Sequence, residues 1–233
     1  MQASKGTARL AGLLYLLVIL GGIYSLKIVP DLLVVPGDAA ATAGNIAAHG
    51  LEYRLGIYVG VLAEVCFVFL GLTLYALFAE VSPSLAGVML TLNVVVAVLG
   101  VVSFTLQSAP LILTDGAGWL SAVPKPQLDA LAFAFLKLSG IGNELAMVFW
   151  GLWLLPFGLL VIGSGFFPKV LGWLLIINCI GWMATGAVAF LLPVHPGVVD
   201  TALKPLGIGE PVIMLWMLVM GAKVRPAPAL APG

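Results

Sequence analysis

Residues Leu128–Ile162 read LDALAFAFLKLSGIGNELAMVFWGLWLLPFGLLVI, the longest apolar run in the chain. As one helix rising 1.5 Å per residue the run would extend about 50 Å. The hydrocarbon core of a bilayer needs only about 20 residues. One end must therefore stand outside the bilayer, or the helix must tilt or break. Pro156 lies inside the run and lacks a backbone donor, which predicts a kink there. Lys137, Glu144, Gly151 and Gly158 recur every seventh residue, so they share one slowly drifting helical face. The two glycines on that face would let a neighbouring helix come close. Asn143 and Glu144 are expected to point into a bundle, because an unpaired charge in hydrocarbon costs at least a few kcal/mol. The alternative is that Glu144 sits near the interface, solvated or paired with Lys137.

Composition sets the class. The chain has 233 residues, of which 62% are hydrophobic and 9% charged, with a mean hydropathy of +1.18. Soluble domains average about 25% charged residues. The expected fold is all-α: a polytopic membrane bundle of six transmembrane helices, with a short extracytoplasmic helix between spans 1 and 2. A net charge of +0 and the lack of a basic cluster exclude a nucleic-acid-binding class. Cys66 and Cys179 each sit inside an apolar segment without a CxxC, and read as free buried thiols. His49 and His195 fall in predicted loops, so no bis-histidine haem, other cofactor or metal site is expected.

The spans are expected at about 8–26, 55–78, 85–108, 130–162, 170–192 and 208–222, in one membrane domain over 1–223. The Pro-rich end, 224–233, reads as a flexible tail. Lys5 and Arg9 precede the first span, which reads as an uncleaved anchor. Between spans 1 and 2, Pro36-Gly37 signals a turn, and Asp38 can cap a helix over Ala39–His49 that Gly50 ends. Gly56, Gly60 and Glu64 recur every four residues on span 2, a small, small, acidic face. Asn93, Gly100 and Gln107 share a face of span 3; Asn178, Gly181, Trp182 and Thr185 share one on span 5. Trp119 is expected at the headgroup level. Glu210 opens the last span, where an acid suits the helix dipole. Pro83-x3-Gly87-x5-Asn93 matches Pro168-x3-Gly172-x5-Asn178, which reads either as a duplicated hairpin or as chance.

Six spans place both termini on one face. Lys5, Arg9, Lys169, Lys223 and Arg225 then lie on that face; Lys27, Arg54, Lys125, Lys137 and Lys204 lie on or near the other. The first set sits in very short loops and termini, where positive charge marks the cytoplasm most reliably, so both termini are expected inside. With that threading Glu64, Gln107, Lys137, Asn143, Glu144, Thr185 and Glu210 fall in the outer half, together with Ser103. They form the candidate ligand-binding set, an acidic, amide-rich pocket for a cationic or hydrogen-bonding solute or a proton. No nucleophile with its base, P-loop or zinc motif accompanies them, so no catalytic residue is expected.

VPGDAAATAGNIAAHGLEYRLGI (Val35–Ile57), SGFFPKVLGWLL (Ser164–Leu175) and GEPVIMLWML (Gly209–Leu218) together resemble the DUF4386 family of bacterial integral membrane proteins. The resemblance runs from about Ala8 to Ala222. It implies a bacterial inner-membrane setting and supports the span count, but brings no activity. Trp153 stands where the family pattern implies a histidine in the fourth span. Three functions remain open: binding or transport of a small solute, a non-catalytic scaffold or partner protein whose polar residues fix helix packing, and a membrane enzyme. The lipid bilayer is the expected partner in each.

Overall fold

The computed structural model describes residues 4–192 and 203–222. His195, Asp200, Lys223, Arg225 and the Pro-rich tail lie outside them. The described elements are helical. Helix α1 (Lys5–Ile23) starts on Ser4, whose hydroxyl accepts from Thr7 N at 3.0 Å. It runs through a π-helical turn (Tyr24–Ile28) into α2 (Val29–Leu33). Pro30 has no N–H for the carbonyl one turn back, and the helix widens just ahead of it. Asp38 caps α3 (Ala39–Ala48) by accepting from Ala41 N at 2.9 Å, as its sequence implies. Gly50 is not the stop that its sequence implies: α3 closes at Ala48 with His49 as its cap, and Gly50 opens α4 (Gly50–Phe78).

A tight turn capped by Ser82 leads into α5 (Pro83–Gln107), followed by α6 (Ala109–Leu113) and a 3-10 turn (Gly118–Leu120). The long apolar run is two helices, α7 (Lys125–Leu152) and α8 (Leu154–Ser164). They part at Trp153, beside the carbonyl of Leu152 that the Pro156 ring cannot bond and crowds. Helix α9 (Lys169–Leu191), a 3-10 turn (Lys204–Ile208) and α10 (Gly209–Val219) complete the described chain.

Among the described residues, five helical stretches are long and apolar enough to cross a membrane: Lys5–Leu33, Gly50–Phe78, Pro83–Leu113, Lys125–Ser164 and Lys169–Leu191. The last expected span departs from this. Helix α10 has 11 residues, about 16 Å, roughly half of a 30 Å hydrocarbon core. It starts deep in the bundle, where the backbone of Gly209 abuts that of Leu174 and Leu175, and ends where Gly221 lies against Lys5.

The helices form a closed ring in the order α1, α4, α5, α7, α9, α10 and back to α1, with α8 packed on α9 and α5. Its core lies toward the end that holds residues 4 and 222. Trp153, Leu154, Phe157, Leu160 and Val161 fill the middle. Trp153 stacks on Phe157 with centroids 5.5 Å apart and meets Tyr15 and Phe67 edge-on at 5.9 and 5.0 Å. Phe78, Phe166 and Phe167 close that end.

Two glycine-lined seams set the helix register. Along α4 and α5, Gly60 receives the Phe104 ring, Gly100 receives the Glu64 side chain, and Gly71 receives the Asn93 amide. The partners advance on one helix as they recede on the other in equal steps, as antiparallel packing requires. Along the second seam, a Cβ at Gly151 would lie 2.6 Å from the Cys179 carbonyl, and one at Gly158 2.7 Å from the Gly172 carbonyl. The expected role of Gly151 and Gly158 as points of close approach is therefore what the backbone shows. The repeated motif is only half matched. Asn93 and Asn178 are both fully buried, yet Gly172 is packed against α8 while Gly87 faces open space.

A branched side chain at Gly158 must displace backbone, and overpacking of this kind costs about 1–3 kcal/mol. Gly158→Val is expected to lower the thermal unfolding midpoint in detergent clearly, and Gly87→Ala to leave it unchanged or slightly raised. Circular dichroism melts of the two variants beside wild type check this.

Candidate functional site

The deepest polar assembly gathers on Glu210, in the first turn of α10. Tyr15 Oη on α1 donates to Glu210 Oε2 at 2.5 Å. Asn178 Nδ2 and Trp182 Nε1 on α9 both donate to Oε1, each at 2.6 Å. Tyr15 lies about 15 Å of helix from Lys5, so the carboxyl sits near mid-depth. The expectation of Glu210 in the outer half is thereby corrected. Half-length α10 begins in the interior, and its first-turn N–H groups and positive dipole end fall there too. Three converging donors make the carboxyl the tie between α1, α9 and α10.

A second assembly joins α5 to α7. Ser103 Oγ donates to Asn143 Oδ1 at 2.7 Å and lies 2.9 Å from Ser139 Oγ. Ser139 Oγ also donates to the Ser103 carbonyl at 3.1 Å. Hydroxyl and amide contacts of this type hold spans together without a charge. Near the far end, Tyr53 Oη donates to the Gln107 carbonyl at 2.5 Å, so Gln107 takes part through its backbone.

The seven candidate residues are thus not one pocket. Glu210 belongs to the α1, α9 and α10 tie and Asn143 to the α5 and α7 contact. Thr185 donates to its own helix at Gly181 O, 2.8 Å away. Lys137 is exposed, its Nζ 5.3 Å from the Phe133 ring centroid. Glu144 is half-buried, with its backbone carbonyl against Gly186 on α9. Glu64 is half-buried over Gly100 and has no hydrogen bond or ion pair to the described residues. No group of three His, Cys, Asp or Glu side chains suited to a metal ion occurs among the described residues.

A cavity of about 370 Å³ lies instead at the far end, under α3. Its wall includes Ala43 and Ala47 of α3, Leu113 and Thr114 after α5, and Leu128 and Asp129 at the start of α7. Asp129 is 6% exposed, and Lys125 Nζ donates to its two carboxylate oxygens at 2.6 and 2.9 Å. A smaller cavity of about 210 Å³ lies by the π-helical turn, lined by Tyr24, Leu32, His49 and Glu52 among others. None of the seven candidates lines either one.

Residues 10–221 match the family model described as a domain of unknown function, DUF4386. The chain belongs to the DUF4386 family. No curated protein and no solved structure matches it. In this DUF4386 protein the match runs from within the first of the five long apolar stretches through the other four, and takes in both polar assemblies and the cavity under α3.

The sequence pattern missed Tyr15, which lies in an apolar stretch and becomes a donor only through the return of α10. It missed Asp129 as well, although the spacing of Lys125 and Asp129, one helical turn apart, was a usable signal.

Removing the Glu210 carboxyl leaves three donors without their acceptor, those of Tyr15 and Asn178 fully buried, and a buried donor left unpaired costs about 1–3 kcal/mol. Glu210→Ala is expected to unfold at a markedly lower temperature than wild type. Glu210→Gln, which keeps an acceptor for Asn178 and Trp182, should fall between them. Detergent melts followed by circular dichroism rank the three.

Proposed function

We propose that this DUF4386 protein is a bacterial inner-membrane protein that binds a small solute at the end of the bundle away from its termini. The observation that carries the reading is the cavity under α3. Its volume falls at the small end of ligand sites, and its wall is mostly apolar with a few polar groups, as such sites are built. The charged pair at Lys125 and Asp129 suits a solute with an apolar body and one cationic or hydrogen-bonding group. In this reading the 3-10 turn and α10 complete a sixth passage. Both termini then face the cytoplasm, in line with the basic residues near them, and α3 caps the site on the extracytoplasmic face.

A second reading, a scaffold that docks other membrane proteins, is favoured by the polar residues that bond helix to helix around Glu210 and Ser103. Native mass spectrometry of gently solubilised wild type and Ala47→Trp separates the two. The binding reading expects a co-purified small molecule on wild type that is absent from Ala47→Trp, whose indole fills the cavity, with equal thermal stability in both. A bare wild type, or a molecule retained equally by Ala47→Trp, contradicts it and favours the scaffold.

A further inference from the structure

Glu64 is the central residue of the 29-residue α4, with equal lengths of helix on either side. About 21 Å of helix separates it from each end of a stretch long and apolar enough to cross a membrane, so it lies well inside the hydrocarbon of such a span. Its carboxyl lies over Gly100 of α5, in a notch that exists because Gly100 has no side chain; a Cβ there would collide with Glu64 Oε1. The position is half-buried, and no hydrogen bond or ion pair ties the carboxyl to the described residues.

The helices packed on α4 bring no charge to it. Helix α5 has no charged residue. The charges of α1 are Lys5 and Arg9, at the terminal end, and Arg9 Nη2 donates to Val219 O. Lys27 of the π-helical turn pairs with Asp31 of α2 at 2.8 Å, toward the far end. Asp38 and His49 flank α3, farther out still. The remaining charges on α4 itself, Glu52 and Arg54, lie in its first two turns.

An ionised carboxylate without a partner at the bilayer centre costs at least a few kcal/mol, whereas the acid that keeps its proton avoids that cost. We propose that Glu64 is an intramembrane proton-binding site, carried as the neutral acid in the Gly100 notch. It is independent of the solute cavity, being made by α4 and α5 alone. It contrasts with Glu210, whose oxygens are already taken by three donors.

The test is reaction of the intact wild-type protein, in mild detergent at neutral pH, with the lipophilic reagent dicyclohexylcarbodiimide. The O–H of a protonated carboxylic acid adds across one C=N bond of the reagent. The resulting O-acylisourea rearranges to a stable N-acylurea, so the whole reagent is retained and no other reactant is needed. Peptide mass spectrometry is expected to find the adduct on Glu64, with Glu210 at least tenfold less modified. A folded Glu64→Gln variant should lack the adduct. It should also lose a protonated-carboxyl C=O infrared band that shifts when wild type is moved into heavy water. An unmodified Glu64, equal modification of Glu210, or no loss of that band in Glu64→Gln would overturn the proposal.

Discussion

A carboxyl inside hydrocarbon must be given partners or keep its proton, and at Glu210 it is given three. That constraint explains an otherwise awkward feature, a helix that covers half the membrane. Helix α10 can begin at mid-depth because the polar group at its start is bonded by Tyr15, Asn178 and Trp182. Those donors come from the two helices between which α10 closes the ring. Without them α10 would have no such polar anchor against α1 and α9. The aromatic centre, where Tyr15 touches Trp153 and Trp182 touches Trp150, packs around the same point.

Elsewhere the bundle is ordered by shape. Lipid tails are as apolar as the side chains of spanning helices, so burial alone gives weak direction to helix pairing. Glycines give it here, by admitting a ring, an amide, an acid or a carbonyl at defined heights. One residue fits less fully. The Asn93 amide is buried against Gly71, with neither its nitrogen nor its oxygen bonded to a described residue. The two polar assemblies sit on different sets of helices, Glu210 among α1, α9 and α10 and Ser103 between α5 and α7, so the candidate residues do not converge on one pocket.

Much of the architecture was legible in the sequence. The cap at Asp38, the break near Pro156 and the face of Gly151 and Gly158 each follow from local rules of spacing and backbone chemistry. What was not legible depends on pairing between distant parts of the chain. The periodicity on span 2 shows that Glu64 and the glycines share a face, but not that Gly100 opposes the acid. Tyr15 and Asp129 looked ordinary because their roles come from neighbours. The apolar composition of 208–222 does not show that the α-helix there is only Gly209–Val219, because helix depth is set by where Gly209 meets α9. Expected depth is what the candidate residues share, and depth alone does not say which helix faces which.

The central claim is that the Glu210 tie, more than general hydrophobic fit, anchors α10. The most direct measurement is a double-mutant cycle of Tyr15→Phe and Glu210→Ala, with reversible unfolding followed in mixed micelles. A real tie predicts that the two substitutions together cost less than their separate costs added, by about 1 kcal/mol, in the range found for polar contacts between spans. Strict additivity would contradict the account and leave α10 held by packing alone.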